Sequence, residues 1–295
     1  MSVTAAMVKQ LRERTGAGMM ECKRALVASN GDIDAAAEQM RKSGQAKADK
    51  KADRVAAEGV IIIKQADDGS RGVIVEVNSE TDFVAKDAGF MGFANQTADI
   101  VLSANPADVA ALYAAPNGNG QTVDEARRDL IAKIGENIGV RRFQIVQGGD
   151  RLGSYLHGAR IGTLVALTGG DDELAKDVAM HVAASSPECL DESGLDATLL
   201  EKERDIYRTQ AAESGKPPEI IEKMIEGKVR KFVNSVTLLG QPFVKDDKQT
   251  VGKLLSSKSA TVASFVRYGV GEGIEKKEEN FAEEVRKQVE DVQKD

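Results

Sequence analysis

The chain has 295 residues, of which 41% are apolar and 29% are charged, and its formal net charge is -7. This length corresponds to about two domains, and with only 4% aromatic residues the core must consist mainly of aliphatic side chains. A mildly acidic chain is a poor candidate for wrapping nucleic acid, because such proteins carry basic stripes.

The first predicted unit is a bundle of three short helices. Thr4 and Asp32 can cap the first and third helices, and Gly16, Gly31 and Gly44 can end the three helices in turn. Capping residues in front and glycines behind are the usual punctuation of helices. The spacing of apolar residues between these signals predicts a compact bundle.

A basic segment, residues 45–57, follows the bundle and is predicted to be helical. Its four cations, Lys47, Lys50, Lys51 and Arg54, are three or four residues apart and would share one helical face. The segment is interpreted either as a solvated linker or as a face that binds RNA.

The next segment predicts a mixed α+β unit. Two β-branched runs separated by a turn sequence predict a β-hairpin. A helix, a poorly specified connection rich in Ala, Asn and Gly, a second helix and another strand are then predicted. In order, these segments are residues 59–65, 72–78, 90–102, 103–121, 122–138 and 141–147.

The pattern recurs from Ser154, which suggests an internal repeat. Gly72 aligns with Gly162 at an offset of 90 residues, whereas the helices that follow align at an offset of 81. The first copy therefore holds nine extra residues between strand and helix, within residues 78–89. A chance similarity of two ββα segments is the alternative interpretation.

A helical hairpin is predicted over residues 196–236, with a break at residues 215–218. Hairpins of this kind often protrude and pair with another surface. Strands and loops are predicted again over 237–273, including the apolar run at 250–255. The last 21 residues are predicted to form a charged amphipathic helix with a narrow apolar stripe.

The sequence lacks the motifs of common enzymes. It has no P-loop, and its glycines at 269–273 do not have the dinucleotide-binding spacing. With His157 and His181 as the only histidines and no C-x-x-C motif, we expect no metal site, no cofactor and no catalytic residues. Cys22 and Cys189 are expected to be reduced thiols. The absence of a signal-peptide pattern and of a long apolar run predicts a cytoplasmic protein without a membrane span.

Four motifs carry a resemblance to a known family. LRERTGAGMMECKRAL (11–26) and EVNSETDFVAKDAGF (76–90) resemble the two signatures of the elongation factor Ts family, and HGARIG (157–162) and GQPFV (240–244) are similar to further family motifs. The resemblance covers the whole chain in the right order. The first two motifs are long enough to be specific.

The resemblance implies an α+β fold with an N-terminal three-helix bundle like those of ubiquitin-associated domains. Two repeated ββα-type subdomains with antiparallel sheets, an inserted helical hairpin and a C-terminal helix complete the implied fold. The expected boundaries are 1–55 for the bundle, 56–149 for the first subdomain, 150–190 with 237–273 for the second, 191–236 for the hairpin and 274–295 for the C-terminal helix.

The resemblance also implies a function. The family promotes GDP release from elongation factor Tu, the GTPase that carries aminoacyl-tRNA to the ribosome, without binding nucleotide itself. The family's key tetrapeptide matches Thr81, Asp82, Phe83 and Val84, which would displace the partner's Mg²⁺. Further matched partner contacts are Met19, Met20, Lys23, Ile134, Gly135 and His157. The C-terminal helix would reach another face of the partner, and the hairpin could form a homodimer.

Each of these assignments has a structural alternative. Phe83 could be a core residue, Asp82 a helix cap, and His157 a structural histidine, while Met19 and Met20 could belong to the bundle core. Two other functions also stay open: an adaptor that binds through its first ~50 residues alone, and a translation factor that binds RNA through the basic segment.

Overall fold

The computed structural model describes residues 3–212 and 217–275, apart from the side chains of residues 45–47 and 212. Within these ranges the chain is an α+β protein, as the sequence predicts. Its helices are α1 (Ala5–Thr15), α2 (Met19–Ala28), α3 (Ile33–Asp49), α4 (Ala88–Ala104), α5 (Val109–Ala114), α6 (Val123–Ile134), α7 (Asp172–Ser185), α8 (Ala197–Ala212), α9 (Pro218–Val236) and α10 (Val251–Ser257). Its strands are β1 (Glu58–Gln65), β2 (Arg71–Ser79), β3 (Gly139–Gln147), β4 (Arg151–His157), β5 (Ile161–Thr168), β6 (Pro242–Phe243), β7 (Asp246–Thr250) and β8 (Thr261–Gly269).

Helices α1 to α3 form the predicted N-terminal bundle. Thr4 and Asp32 cap α1 and α3, since each side chain accepts a hydrogen bond from the backbone N–H three residues later, at 3.3 and 3.0 Å. The three helices share one small core. Its buried members are Val8, Leu11, Cys22, Ala25, Leu26 and Ala36.

The predicted end of the third helix at Gly44 is wrong, because α3 continues to Asp49. Helix α3 packs on α6, and a Cβ placed on Gly44 would lie 3.1 Å from the Cβ of Ala132. The glycine therefore permits close approach of two helices instead of ending one of them. Arg128 of α6 pairs with Asp49 at 3.0 Å and closes this contact.

The first core subdomain contains an antiparallel sheet in the order β1-β2-β3. Central strand β2 is buried on both faces. Its side chains at 73, 75 and 77 pack with α4, whereas Ile74 points to the opposite face. This alternation is the usual geometry of a strand between two layers.

The segment 103–121 is more ordered than the sequence predicted. It contains α5, whose first turn is capped by Asp108, with the side-chain oxygen 2.7 Å from the Ala111 nitrogen. Leu112 is fully buried in the core of the first subdomain. The Tyr113 hydroxyl accepts a hydrogen bond from the Val140 N–H at 2.9 Å, which joins α5 to β3.

The second core subdomain repeats this architecture. Its sheet has the order β4-β5-β8, and α7 packs on one face of central strand β5. Both sheets contain a register shift at the same place in the repeat, at Glu76/Val77 and at Ala166/Leu167, which are 90 residues apart. The repeat predicted from the sequence is therefore confirmed.

The two sheets pack face to face, with α4 and α7 on the outer faces, so the core has four layers. The inner interface is apolar. Its buried members are Ile61, Ile74, Val146, Leu164, Ala166, Val266 and Tyr268.

Two equivalent glycines allow the sheets to approach each other. A Cβ on Gly162 would lie 2.5 Å from Ile61 Cγ2 and 3.2 Å from Ile74 Cδ1, and a Cβ on Gly72 would lie 3.3 Å from Leu164 Cδ2. Real side chains do not tolerate the shorter of these separations. The match of Gly72 with Gly162 thus marks a packing requirement of the repeat.

Helices α8 and α9 form the predicted hairpin between α7 and β6. Its two ends lie side by side, because the backbone N–H groups of Leu238 and Leu239 donate to the carbonyls of Cys189 and Leu190 at 2.9 and 3.0 Å. The helices pack through Ala211, Ile225, Val229 and Val233.

The apolar run at 250–255, predicted as a strand, instead begins α10. The Thr250 hydroxyl caps this helix by accepting from the Lys253 N–H at 3.2 Å. Val251 and Leu255 lie one helical turn apart and are both buried. A short apolar run does not by itself distinguish strand from helix, and the cap is the feature that decides here.

The predicted C-terminal helix lies, from residue 276 onward, outside the described residues. In the described part of the chain, no helix combines the length and apolar character needed to span a bilayer.

Candidate functional site

The clearest feature of the surface is a loop that displays an aromatic ring. Phe83 lies between β2 and α4, and 81% of its surface is exposed. The interpretation of Phe83 as a core residue is therefore wrong. Exposure of a whole phenylalanine is unfavourable in an isolated chain, because burial of such a side chain contributes about 1.5–3 kcal/mol. Aromatic side chains are enriched at protein–protein interfaces relative to the rest of the surface, so the exposed ring is a candidate contact.

The residues on both sides of Phe83 are anchored. Thr81 donates from its N–H and its hydroxyl to the two carboxylate oxygens of Glu136, at 2.9 and 2.7 Å. Val84 is buried in the core of the first subdomain and begins a short 3-10 helix. The loop therefore presents Phe83 from fixed points instead of leaving it on a free segment.

Asp82 is exposed and does not cap a helix. Its carboxylate pairs with Lys86 at 2.9 Å, and the Lys86 ammonium lies 6.0 Å from the centre of the Phe83 ring. The cap of α4 is Asp87, which accepts from the N–H groups of Gly89 and Phe90 at 2.8 and 3.0 Å. The interpretation of Asp82 as a helix cap is wrong.

The N-terminal bundle displays a second apolar surface. Met19 and Met20 lie at the start of α2 with 59% and 67% of their surface exposed, so neither belongs to the bundle core. Lys23 is also exposed, one turn further along the same helix. The three predicted contact residues of the bundle thus share one exposed surface.

The remaining predicted contacts are less uniform. Ile134 is partly buried against the core of the first subdomain. Gly135 ends α6 with φ +94°, a conformation that favours glycine, and it lies beside Glu136, the anchor of Thr81. His157 is exposed at the end of β4, and its Nδ1 lies 3.3 Å from the Tyr155 hydroxyl. Ile134 and Gly135 are therefore beside the Phe83 loop, whereas His157 belongs to a hairpin of the second sheet.

The basic segment does not form a free cationic face. The Lys51 ammonium donates to the Gly135 carbonyl, and Arg54 pairs with Glu80 at 3.6 Å. The Lys47 side chain lies outside the described residues. Two of the four cations are thus used inside the molecule, which argues against the RNA-binding interpretation.

Two buried polar groups were not singled out by the sequence analysis. Glu76, on β2, is completely buried and accepts hydrogen bonds from Arg141 at 3.1 Å, Arg142 at 2.6 Å and the Gly271 N–H at 2.8 Å. It joins the first sheet to the segment that follows β8. A glutamate inside an apolar strand is the local signal that could have identified it.

His181 is the second buried polar group. Its Nε2 lies 3.0 Å from Gln241 Oε1, and its Nδ1 accepts from the Val244 N–H at 3.2 Å. Burial lowers the pKa of His181, although the hydrogen bond to Gln241 acts in the opposite direction. Since Gln241 also donates to the carbonyls of Ser185 and Ser235, the pair joins α7 to the end of the inserted hairpin. The structural histidine is therefore His181, and the GQPFV motif supplies its partner.

Among the described residues, no group of three or more His, Cys, Asp or Glu is arranged to hold a metal ion. The surface displays an exposed aromatic ring on an anchored loop and exposed methionines on the N-terminal bundle.

The chain is similar to known proteins along almost all of its length. Residues 80–272 match the family model described as Elongation factor TS. The relative named Elongation factor Ts from Thioalkalivibrio sulfidiphilus is 61% identical over 291 residues, covering 98% of this chain and 99% of the relative. Proteins of the same name from Alkalilimnicola ehrlichii and Methylococcus capsulatus are 60% and 59% identical over 290 residues, each covering 98% of this chain and 99% of the relative.

Proposed function

The chain belongs to the elongation factor Ts family, and from this premise we propose that it is a guanine-nucleotide exchange factor. It binds elongation factor Tu in the GDP-bound state and promotes GDP release during translation elongation. The observation that carries this proposal is the exposed Phe83 on its anchored loop. The chain acts on its partner by binding and carries out no chemical step itself.

In the proposed mechanism the loop Thr81–Val84 disturbs the metal site of the partner. A GTPase holds its nucleotide through backbone amides, a lysine and a Mg²⁺ ion that neutralises the phosphate charge. An apolar wedge that shifts a neighbouring segment of the GTPase dislodges the ion without contacting the nucleotide. Phosphate repulsion is then undercompensated, and GDP leaves faster.

The size of the effect limits what Phe83 does alone. Burying the ring in the partner contributes about 1.5–3 kcal/mol, and a tenfold change in affinity requires about 1.4 kcal/mol. Phe83 alone therefore weakens nucleotide binding by at most about one to two orders of magnitude. Coupling is reciprocal, so bound GDP weakens the binding of this chain to its partner by the same factor.

Larger effects require more contact area. We assign this role to Met19, Met20 and Lys23 on the bundle and to Ile134, Gly135 and His157 on the core. The exposure of the two methionines supports the first group. Methionine is well suited to such a surface because its side chain is flexible and polarizable.

The test is the release of a fluorescent GDP analogue from the cognate elongation factor Tu. We expect the wild-type chain to accelerate release strongly and Phe83→Ala to lose about tenfold to a hundredfold of that acceleration, since the wedge is removed. Ile206→Ala is the matched control, because Ile206 is also an exposed apolar side chain (48%) but lies on the hairpin. The control should release GDP at the wild-type rate.

Two results would contradict parts of this proposal. Equal acceleration by wild type and Phe83→Ala would keep the function but assign the mechanism to other contacts. No acceleration by folded wild-type protein, with binding retained, would favour the adaptor function, for which the exposed Met19 and Met20 are the supporting observation.

Self-association is a separate proposal. Ile206 and Ile220 are exposed on the hairpin (48% and 47%) and could contact a second copy of the chain. Sedimentation velocity over a concentration series tests this directly: a sedimentation coefficient that stays at the value of the monomer would rule it out. The predicted domain boundaries and the predicted cytoplasmic location stay predictions.

A further inference from the structure

The turn between α6 and β3, residues 135–137, binds the segment that follows the N-terminal bundle. The Lys51 ammonium donates to the Gly135 carbonyl. The Asn137 side-chain amide donates to the carbonyls of Ala52 and Arg54, at 3.2 and 2.7 Å. All three contacts join residues that are more than 80 positions apart in sequence. The end of the bundle is therefore fastened to this turn.

The same turn binds the start of the Phe83 loop. The Glu136 carboxylate accepts both hydrogen bonds from Thr81, and the Asn137 N–H donates to Glu80 at 2.5 Å. Glu80 in turn pairs with Arg54 at 3.6 Å. Three segments therefore form a closed set of polar contacts, in which each segment contacts the other two. They are the bundle linker (residues 51–54), the turn (135–137) and the start of the Phe83 loop (80–81).

We propose that Glu136 is a positioning residue, which sets the place of the Phe83 loop relative to the N-terminal bundle. Its two oxygens hold the N–H and hydroxyl of Thr81, two residues before the ring, and its neighbours hold the bundle linker. The exposed methionines and the exposed phenylalanine can then contact the same partner molecule at the same time. This inference rests on the proposed exchange function, but the loop placement can be measured without it.

The first experiment is a double-mutant cycle on nucleotide release. Glu136→Ala should lower the maximal rate of GDP release by about tenfold, because both hydrogen bonds to a charged acceptor are lost. The concentration for half-maximal effect should change less than threefold, since the bundle surface is intact. In the Phe83→Ala background the same substitution should change the rate less than twofold, because the ring that Glu136 positions is already absent.

Two further variants give controls. Glu136→Gln keeps one acceptor oxygen and should lie between wild type and Glu136→Ala. Asp99→Ala removes another carboxylate of the same subdomain, paired with Lys64 at 3.1 Å on the surface, and should release GDP at the wild-type rate. A loss in Glu136→Ala that is equally large with and without Phe83 would overturn the inference, and so would a wild-type rate in Glu136→Ala.

The second experiment does not need the partner. Hydrogen exchange of the Thr81 amide should be at least tenfold faster in Glu136→Ala than in wild type, whereas amides of central strand β2 should be unchanged. Unchanged protection of the Thr81 amide would overturn the inference, even if the chain is confirmed to accelerate GDP release. If the wild-type chain does not accelerate GDP release, the proposed function fails, and the functional part of the inference fails with it. The hydrogen-exchange rate of the Thr81 amide still tests whether Glu136 fixes the position of the loop.

Discussion

The two halves of the core have the same scaffold and different insertions. In both, a central strand with a glycine at its second position lies between a helix and the opposite sheet. Between this strand and its helix the first half has eight residues, 80–87, and the second half has three, 169–171; the longer loop is the segment that exposes Phe83. The second half adds the long hairpin after its helix instead. The comparison teaches that packing fixes what the halves share, and that the Phe83 loop, the central proposed partner contact, lies where they differ.

The largest expected effect tests a polar difference between the halves. Glu76 is completely buried and accepts hydrogen bonds from two arginines, whereas the equivalent residue 90 positions later is Ala166. Glu76→Ala removes the buried acceptor that Arg141, Arg142 and the Gly271 N–H share, and should lower the free energy of unfolding by about 3 kcal/mol. Urea denaturation measures the loss.

The control for Glu76 is an exposed ion pair of the second half. Asp172 pairs with Arg151 at 2.7 Å, but its side chain is 89% exposed. Asp172→Ala should therefore lower the free energy of unfolding by at most about 1 kcal/mol, since the charge lies at the start of α7. Equal stability of the two variants would mean that the buried carboxylate does not join the halves.

The next effect tests the two equivalent glycines. Gly162→Ala places a methyl group 2.5 Å from Ile61 and should destabilise the fold by about 1–3 kcal/mol, because an overpacked interface must shift. Gly72→Ala meets its nearest atom at 3.3 Å and should destabilise by at least about 1 kcal/mol less. Denaturation of the two variants in parallel measures the difference. A larger loss in Gly72→Ala would show that the two halves do not pack as described.

The smallest expected effect is a dependence of stability on pH, and it arises from the second half alone. His181 has its pKa lowered by burial in the folded state, and the equivalent position on α4 is Ile100. The unfolded chain therefore binds a proton at His181 more readily than the folded chain does. As a result, the contribution of neutral His181 to the free energy of unfolding is fully present above about pH 6.5 and decreases as the pH falls below that value. Thermal unfolding between pH 8 and pH 5 measures the decrease. His181→Asn should be less stable at pH 8 but should lose less on acidification; an unchanged pH profile would contradict the assignment.

Much of the fold was predictable from the sequence because its signals are local. Thr4, Asp32 and the β-branched runs act within a few residues, and they predicted the bundle and the sheets. Gly44 misled the prediction, since its cause is Ala132, a residue on a helix far along the chain. A glycine that ends a helix and a glycine that admits a neighbour look alike in sequence.

The candidate site was predictable only in part. The resemblance identified Thr81 to Val84 as a motif, but composition and spacing could not show that Phe83 is exposed. Glu136 was missed because its contact with Thr81 spans 55 residues and no local pattern marks it. The helix predicted over 122–138 covered this turn, whereas α6 ends at Ile134.

The contacts between the two sheets have a consequence for the origin of the chain. Gly72 approaches Leu164, and Gly162 approaches Ile74; an offset of 90 residues turns one pair into the other. Contacts that exchange in this way are isologous, the kind that a two-fold rotation axis produces between identical subunits. One polypeptide thus retains an interface of the type that two separate copies of a half-length ancestor would have formed. The insertions break this symmetry, since each half has one that the other lacks.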